Sequence, residues 1–166
     1  SFHDLPLHLG LAEAYCAGKS ARGFGMDVTK IGVIGAGQMG NGIAHVMALA
    51  GYHVCLNDIS EDVLSQALTR IDKNMMRQVK SGKIAQADKA AALARITTTL
   101  SIADIGQSDL VIEAATEDEP TKQVIFDALV PHIQDHTILT SNTSSISITR
   151  LASRTGRPEK FMGFHF

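Results

Sequence analysis

The stretch "KIGVIGAGQMGNGIAHVMALAG" (30–51) constrains the chain more than any other. Its first residues form a compact apolar run, too short for a helix and ended by glycine, which reads as a β-strand. Gly35, Gly37 and Gly40 then follow in the pattern G-x-G-x-x-G. Beyond them Met39, Ile43, Met47 and Ala50 recur at gaps of 4, 4 and 3, which is one face of a helix, and Gly51 stands where a left-handed residue ends it. Three glycines alone are a weak signal; between a strand and an amphipathic helix they acquire a mechanical sense. Gly35 permits a tight turn, Gly37 lets a pyrophosphate approach the backbone, and Gly40 lets the helix close on the strand. Gln38 and Met39 share that first helical turn, whose unpaired N–H groups favour phosphate.

A second strand-like run, "YHVCLND", ends on Asp58, eighteen residues after Gly40. A carboxylate there accepts hydrogen bonds from the ribose hydroxyls of a dinucleotide and repels a 2′-phosphate. No arginine follows at once ("DISED"). The predicted cofactor is therefore NAD rather than NADP, held by Gly35, Gly37, Gln38, Met39, Gly40 and Asp58. The plain alternative is a glycine-rich turn beside a capping aspartate.

The rest of the chain keeps the same rhythm. Ser60 is placed to cap a long helix, with Glu61 and Asp62 in its first turn and Leu64, Leu68, Ile71, Met75 and Val79 on its apolar face. "KSGK" breaks it, and "QADKAAALARI" reads as a second helix. Strand-like runs follow in "RITTTL", "DLVIEAA" and "TILTSNT". "EPTKQVIFDALV" is a helix with Pro120 in its opening turn, and a short helix at 148–153 precedes the final run "FMGFHF". Such alternation predicts an α/β, Rossmann-type, doubly wound and mainly parallel sheet, with a helical hairpin inserted after the second strand. No internal repeat or low-complexity tract interrupts it.

Composition sets the outer bounds. A chain of 166 residues, 45% hydrophobic and 19% charged, suits one globular domain. Residues 1–25 read as an extension and linker outside the fold, and 26–166 as the domain. A net charge of −2 gives no basic field for nucleic acid or an anionic membrane. No run reaches the roughly 18 apolar residues needed to span a bilayer. Cys16 and Cys55 make no disulfide framework, which points to a reducing, cytoplasmic setting, and no histidine cluster has metal-ligand spacing.

Four segments, "GAGQMGNGIAHVMALAGYHVCLND", "SDLVIEAATED", "SNTSSISIT" and "FMGFHF", occur in this order. Together they resemble the NAD-binding domain of L-3-hydroxyacyl-CoA dehydrogenases, with the bacterial 3-hydroxybutyryl-CoA dehydrogenases most alike. The resemblance covers residues 28–166 and implies an oxidoreductase that interconverts (3S)-3-hydroxyacyl-CoA and 3-oxoacyl-CoA. It places Glu117 and Lys122 near the nicotinamide side of the cofactor. Ser144 becomes the hydrogen-bond partner of the substrate oxygen, and His165 the general acid/base. Imidazole can take and return a proton near neutrality, and a serine hydroxyl can stabilise charge developing on oxygen.

The resemblance also gives a role to the inserted helix. Arg70, Lys73, Arg77 and Lys80 recur at gaps of 3, 4 and 3, one basic stripe, and Lys73 and Lys80 would bind coenzyme A phosphates. In the family the histidine strand continues into an Asn-Pro segment, a glutamate that orients the imidazole, and a helical domain that supplies a homodimer interface. These features are absent from the 166 residues, so this chain is expected to bind NAD and to be close to inactive alone. Localisation follows as cytoplasmic, or mitochondrial matrix in a eukaryote. From the residues alone other readings stay open: His165 as a core histidine, Ser144 as a turn residue, and the basic stripe as a solvated helix face. A related hydroxyacid enzyme such as an L-gulonate 3-dehydrogenase, or a non-catalytic NAD-binding module, remains an alternative for the whole.

Overall fold

A computed structural model of the protein describes residues 27–166, so the expected extension over 1–25 lies outside the described residues. Six strands form one sheet: β1 (Lys30–Ile34), β2 (His53–Asn57), β3 (Ile96–Thr99), β4 (Leu110–Glu113), β5 (Ile138–Ser141) and β6 (Phe161–Gly163). Their order is β3-β2-β1-β4-β5-β6 and every pairing is parallel. The strand order reverses between β1 and β4, the switch point at which such sheets hold ligands beyond their carboxyl ends.

Among the described residues six α-helices connect the strands: α1 (Gln38–Leu49), α2 (Glu61–Lys80), α3 (Gln86–Ala94), α4 (Ile102–Ile105), α5 (Glu119–Leu129) and α6 (Ile148–Arg154). The central strand β1 is buried after its first residue, and its side chains alternate between two cores. Ile31 and Val33 join Val54, Leu56 and Ile112 under α1, α2 and α3. Ile34 joins Val111, Leu139 and Phe161 under α4, α5 and α6, where Phe126 meets Phe161 edge to face. Helices thus cover both faces, as the strand–helix alternation predicts.

The inserted pair is the expected hairpin. Ser60 Oγ accepts the Val63 N–H at 3.4 Å, and Leu64, Ala67, Ile71 and Met75 are buried. Leu68 and Val79 sit half-buried at the margin of that face. Lys89 of α3, itself buried, pairs with Asp72 of α2 at 2.8 Å and fixes the two helices against each other. Gly51 has φ +102° and ends α1 in the left-handed conformation. The short α4 carries no sequence signal of its own; one turn is too brief to show a helical period.

The amino end of β4 is stitched to its neighbours by one carboxylate. Asp109 accepts the N–H groups of Thr29 and Lys30, both at 2.9 Å, and His136 Nε2 lies 2.8 Å from its Oδ1. Burial raises the pKa of this carboxyl, but the hydrogen bonds from Thr29, His136 and Lys30 outweigh it and lower the value to about 2.

Candidate functional site

At the carboxyl end of β1 the chain turns through Gly35, whose φ is +95° and whose N–H donates to Asn57 O at 2.8 Å. A Cβ on Gly40 would stand 1.6 Å from Gly35 O, so only glycine lets α1 start this close to the strand. A Cβ on Gly37 would meet nothing within 4 Å; the space above that backbone is open. Gly37 is also the N-cap of α1, with no side-chain hydrogen bond to the first turn and no acidic residue within it. The first N–H groups of α1 are left to an anion from outside. Gln38 and Met39 are exposed in that turn, with Met39 44% accessible.

Asp58, just past β2, faces the same loop. Its Oδ2 accepts the Ala36 N–H at 2.9 Å and its Oδ1 the Ser60 N–H at 3.2 Å. A carboxylate has about four acceptor positions, so capacity remains for a ribose diol. An open phosphate loop, an uncapped helix and this aspartate fit a dinucleotide. The groups that would hold it are the backbone at Gly35, Gly37 and Gly40, the turn at Gln38 and Met39, and the Asp58 carboxylate.

Across the switch point lies a polar network centred on a residue that the sequence reading passed over. Glu113, the last residue of β4, is fully buried. Lys122 of α5, also fully buried, donates to both its oxygens at 2.7 Å. Ser141 Oγ donates to Glu113 Oε2 at 2.6 Å, and the Ala115 N–H to Oε1 at 2.8 Å. Such a pair is tolerable in an apolar interior only because each oxygen is hydrogen-bonded. The signal was present in "DLVIEAA", a carboxylate inside an apolar strand, but its partners lie nine and twenty-eight residues away.

Glu117 continues this network to the surface. Lys122 Nζ lies 3.8 Å from its Oε1, while its Oε2 accepts Thr143 Oγ1 at 2.8 Å and Ser145 Oγ at 2.7 Å. Partial burial opposes its ionisation, but the hydroxyls of Ser145 and Thr143, aided by Lys122, hold the carboxyl below its ordinary range. The structure therefore joins Glu117 and Lys122, with Glu117 44% exposed and Lys122 beneath it.

Ser144 is exposed on the loop after β5, between the two residues that Glu117 holds. His165 is exposed as well. It also lies outside the strand expected to carry it: β6 ends at Gly163. Phe164 N–H still donates to Ser141 O at 3.0 Å, and Phe166 N–H donates to Asn142 Oδ1 at 3.3 Å. The His165 segment thus runs beside the loop bearing Ser144. Asn142, Thr143, Ser145 and Ser141 are the residues whose part became visible only in three dimensions.

Arg70, Lys73, Arg77 and Lys80 are all exposed on α2, and none takes part in an ion pair among the described residues. Arg70 and Lys73 border a groove of about 320 Å³ with Ser65, Gln66 and Thr69. His45 is buried on α1 with Nε2 3.0 Å from Gln78 Oε1, and no group of three metal-ligating side chains occurs among the described residues. None of the described helices is long and apolar enough to cross a membrane.

Comparison with known proteins agrees with this geometry. The profile of a family described as "3-hydroxyacyl-CoA dehydrogenase, NAD binding domain" matches residues 30–166. A 3-hydroxybutyryl-CoA dehydrogenase of Bradyrhizobium diazoefficiens is 50% identical over 139 residues, covering 84% of this chain and 47% of that protein. The fatty acid oxidation complex subunit alpha of Pseudomonas savastanoi is 40% identical over 151 residues, 89% of this chain and 21% of its own length. Among solved structures, (S)-3-hydroxybutyryl-CoA dehydrogenase from Ralstonia eutropha superposes with a TM-score of 0.81 at 42% identity, covering 84% of this chain and 49% of that one. The chain thus spans about half the length of the 3-hydroxybutyryl-CoA dehydrogenases of Bradyrhizobium diazoefficiens and Clostridioides difficile, 47% and 49%.

Proposed function

This chain belongs to the 3-hydroxyacyl-CoA dehydrogenase, NAD binding domain family, and from that premise we propose that it is the cofactor half of an NAD-dependent 3-hydroxyacyl-CoA dehydrogenase. The reaction is the reversible oxidation of a (3S)-3-hydroxyacyl-CoA to the 3-oxoacyl-CoA. NAD is the cofactor, and when bound it supplies the hydride acceptor. The chain's own residues supply the rest. His165 takes the proton of the 3-hydroxyl and returns it in the reverse direction. Ser144 donates a hydrogen bond to the same oxygen as charge gathers there. Glu117 lies at the surface on the Ser144 loop, where the hydroxyls of Ser145 and Thr143, aided by Lys122, keep it ionised.

The observation that carries this reading is the meeting, at the carboxyl edge of the sheet, of two segments joined by hydrogen bonds that span up to 24 residues. The exposed His165 segment is hydrogen-bonded to Ser141 and Asn142, immediately before the exposed Ser144. A module that only binds NAD needs neither side chain in the open. An acyl-CoA substrate is supported by the exposed basic stripe on α2, which has no ion pair among the described residues, with Lys73 and Lys80 as phosphate ligands. The two-cysteine inventory and the bacterial relatives support a cytoplasmic setting. The family resemblance supports a homodimer formed through a helical second half.

The test is a fusion of this chain to the remaining half of the Bradyrhizobium relative, assayed for NADH oxidation with acetoacetyl-CoA. Turnover is expected, and His165→Asn should lower kcat by about 10²–10⁴-fold, the range for lost general acid/base catalysis. Lys73→Ala with Lys80→Ala should raise KM for the CoA substrate and spare NADH binding. A second reading has one observation behind it: a solved diketoreductase that acts on dicarbonyl compounds superposes with a TM-score of 0.77 at 31% identity. Equal turnover of free 3-oxo acids and their CoA esters would favour that reading and remove any need for the basic stripe.

A further inference from the structure

We propose that Asn142 is a positioning residue that sets His165 against the Ser144 loop, an inference that rests on the roles just given to those two residues. In a parallel ladder the N–H groups of alternate residues bond to alternate carbonyls of the neighbouring strand. Here Phe164 N–H donates to Ser141 O at 3.0 Å, so the next N–H in step is that of Phe166. Its regular acceptor would be the carbonyl two residues beyond Ser141. By then the chain has left the ladder: β5 ends at Ser141, and 142–147 turn away into the loop. The side chain of Asn142 fills the gap, its Oδ1 accepting the Phe166 N–H at 3.3 Å.

His165 therefore stands between two anchored amides, one held by backbone and one by a side chain. Asn142 is itself fixed, because its N–H donates to Glu113 O at 2.8 Å at the end of β4. The loop that begins there is braced from the other side. Glu117 holds the hydroxyls of Thr143 and Ser145, and Thr143 Oγ1 in turn accepts the Ile146 N–H at 3.1 Å. Ser144 lies within the braced span and His165 within the anchored one, and Asn142 is the residue common to both. Substrate oxygen and imidazole would then meet at a separation set by this asparagine, as positioning catalysis requires.

The test uses the 166-residue chain, isotope-labelled and saturated with NADH. Asn142→Ala should speed hydrogen exchange at the Phe166 amide about three- to tenfold, the loss of one hydrogen bond. It should also move the His165 ring resonances to averaged, coil-like positions while NADH affinity stays within about twofold. Asn142→Asp keeps an oxygen acceptor and should restore both signals, which a merely structural defect would not allow. Unchanged Phe166 exchange and His165 shifts in Asn142→Ala, or no restoration by Asn142→Asp, would overturn the proposal. Failure of the catalytic reading looks different: His165→Asn in the fused enzyme would leave turnover intact, whatever the Phe166 amide reports.

Discussion

Strand β4 carries a carboxylate at each end, and the two do opposite work. Asp109, just before the strand, is half-buried, holds the start of β1 through Thr29 and Lys30, and meets His136. Glu113, four residues later, is fully buried and underlies the residues assigned to chemistry. Parallel α/β sheets bind ligands at their carboxyl ends, so the same side-chain chemistry serves closure of the fold at one end and support of a site at the other. The difference lies in reach. Asp109 ties together backbone that the sheet already places side by side. Glu113 joins α5 to β5, which no ladder bond connects.

The largest expected effect comes from breaking the buried pair. Glu113→Ala leaves the Lys122 ammonium without its partner in the interior and should cost about 3–5 kcal/mol in chemical denaturation. The double variant Glu113→Leu with Lys122→Met removes both charges and should recover most of that loss. If the two single losses simply added in the double variant, the pair would not be the coupled unit described here.

At the other end, Asp109→Ala should cost about 2 kcal/mol, the scale of hydrogen bonds to a charged group, and leave NADH affinity within about twofold. Its pH signature has a definite sign. The carboxyl titrates at about 2 in the folded chain, below the unfolded value near ~3.9. The folded state therefore binds fewer protons in that window. The stabilisation is fully present above about pH 4 and is lost as pH falls towards about 2. Asp109→Asn should flatten that portion of an acid-unfolding curve. A variant curve parallel to that of the parent chain would contradict the assignment. The smallest effect is expected at the surface of the site, where Thr143→Val should cost about 1 kcal/mol through the lost bonds to Glu117 and Ile146.

The two ends also differ in how far they could be read from residues. The glycine loop was legible because its geometry is tied to residue type within a short span: Gly35 needs a positive φ, and Gly40 can carry no Cβ. Asp58 was legible in the same short span, as a carboxylate just past the second strand that faces the glycine loop. The Glu113–Lys122–Ser141 network was not. Its members are far apart in sequence, and nothing in a strand marks which helix will cover it. Glu117 and Lys122 entered through family resemblance, and the structure adds that the lysine is buried beneath the glutamate, 3.8 Å from it. His165 was expected within the last strand, because "FMGFHF" reads as strand throughout, whereas β6 ends at Gly163, two residues earlier.

The account turns on the carboxyl end of the sheet being an NAD site with Asp58 at the ribose. Its most direct test is the ratio of NADPH to NADH dissociation constants for this chain, measured by calorimetric titration. NADH should bind at least about tenfold more tightly, a difference of ~1.4 kcal/mol, and Asp58→Ala should bring the two constants together. Equal affinities in the unaltered chain, or a preference that survives Asp58→Ala, would contradict it.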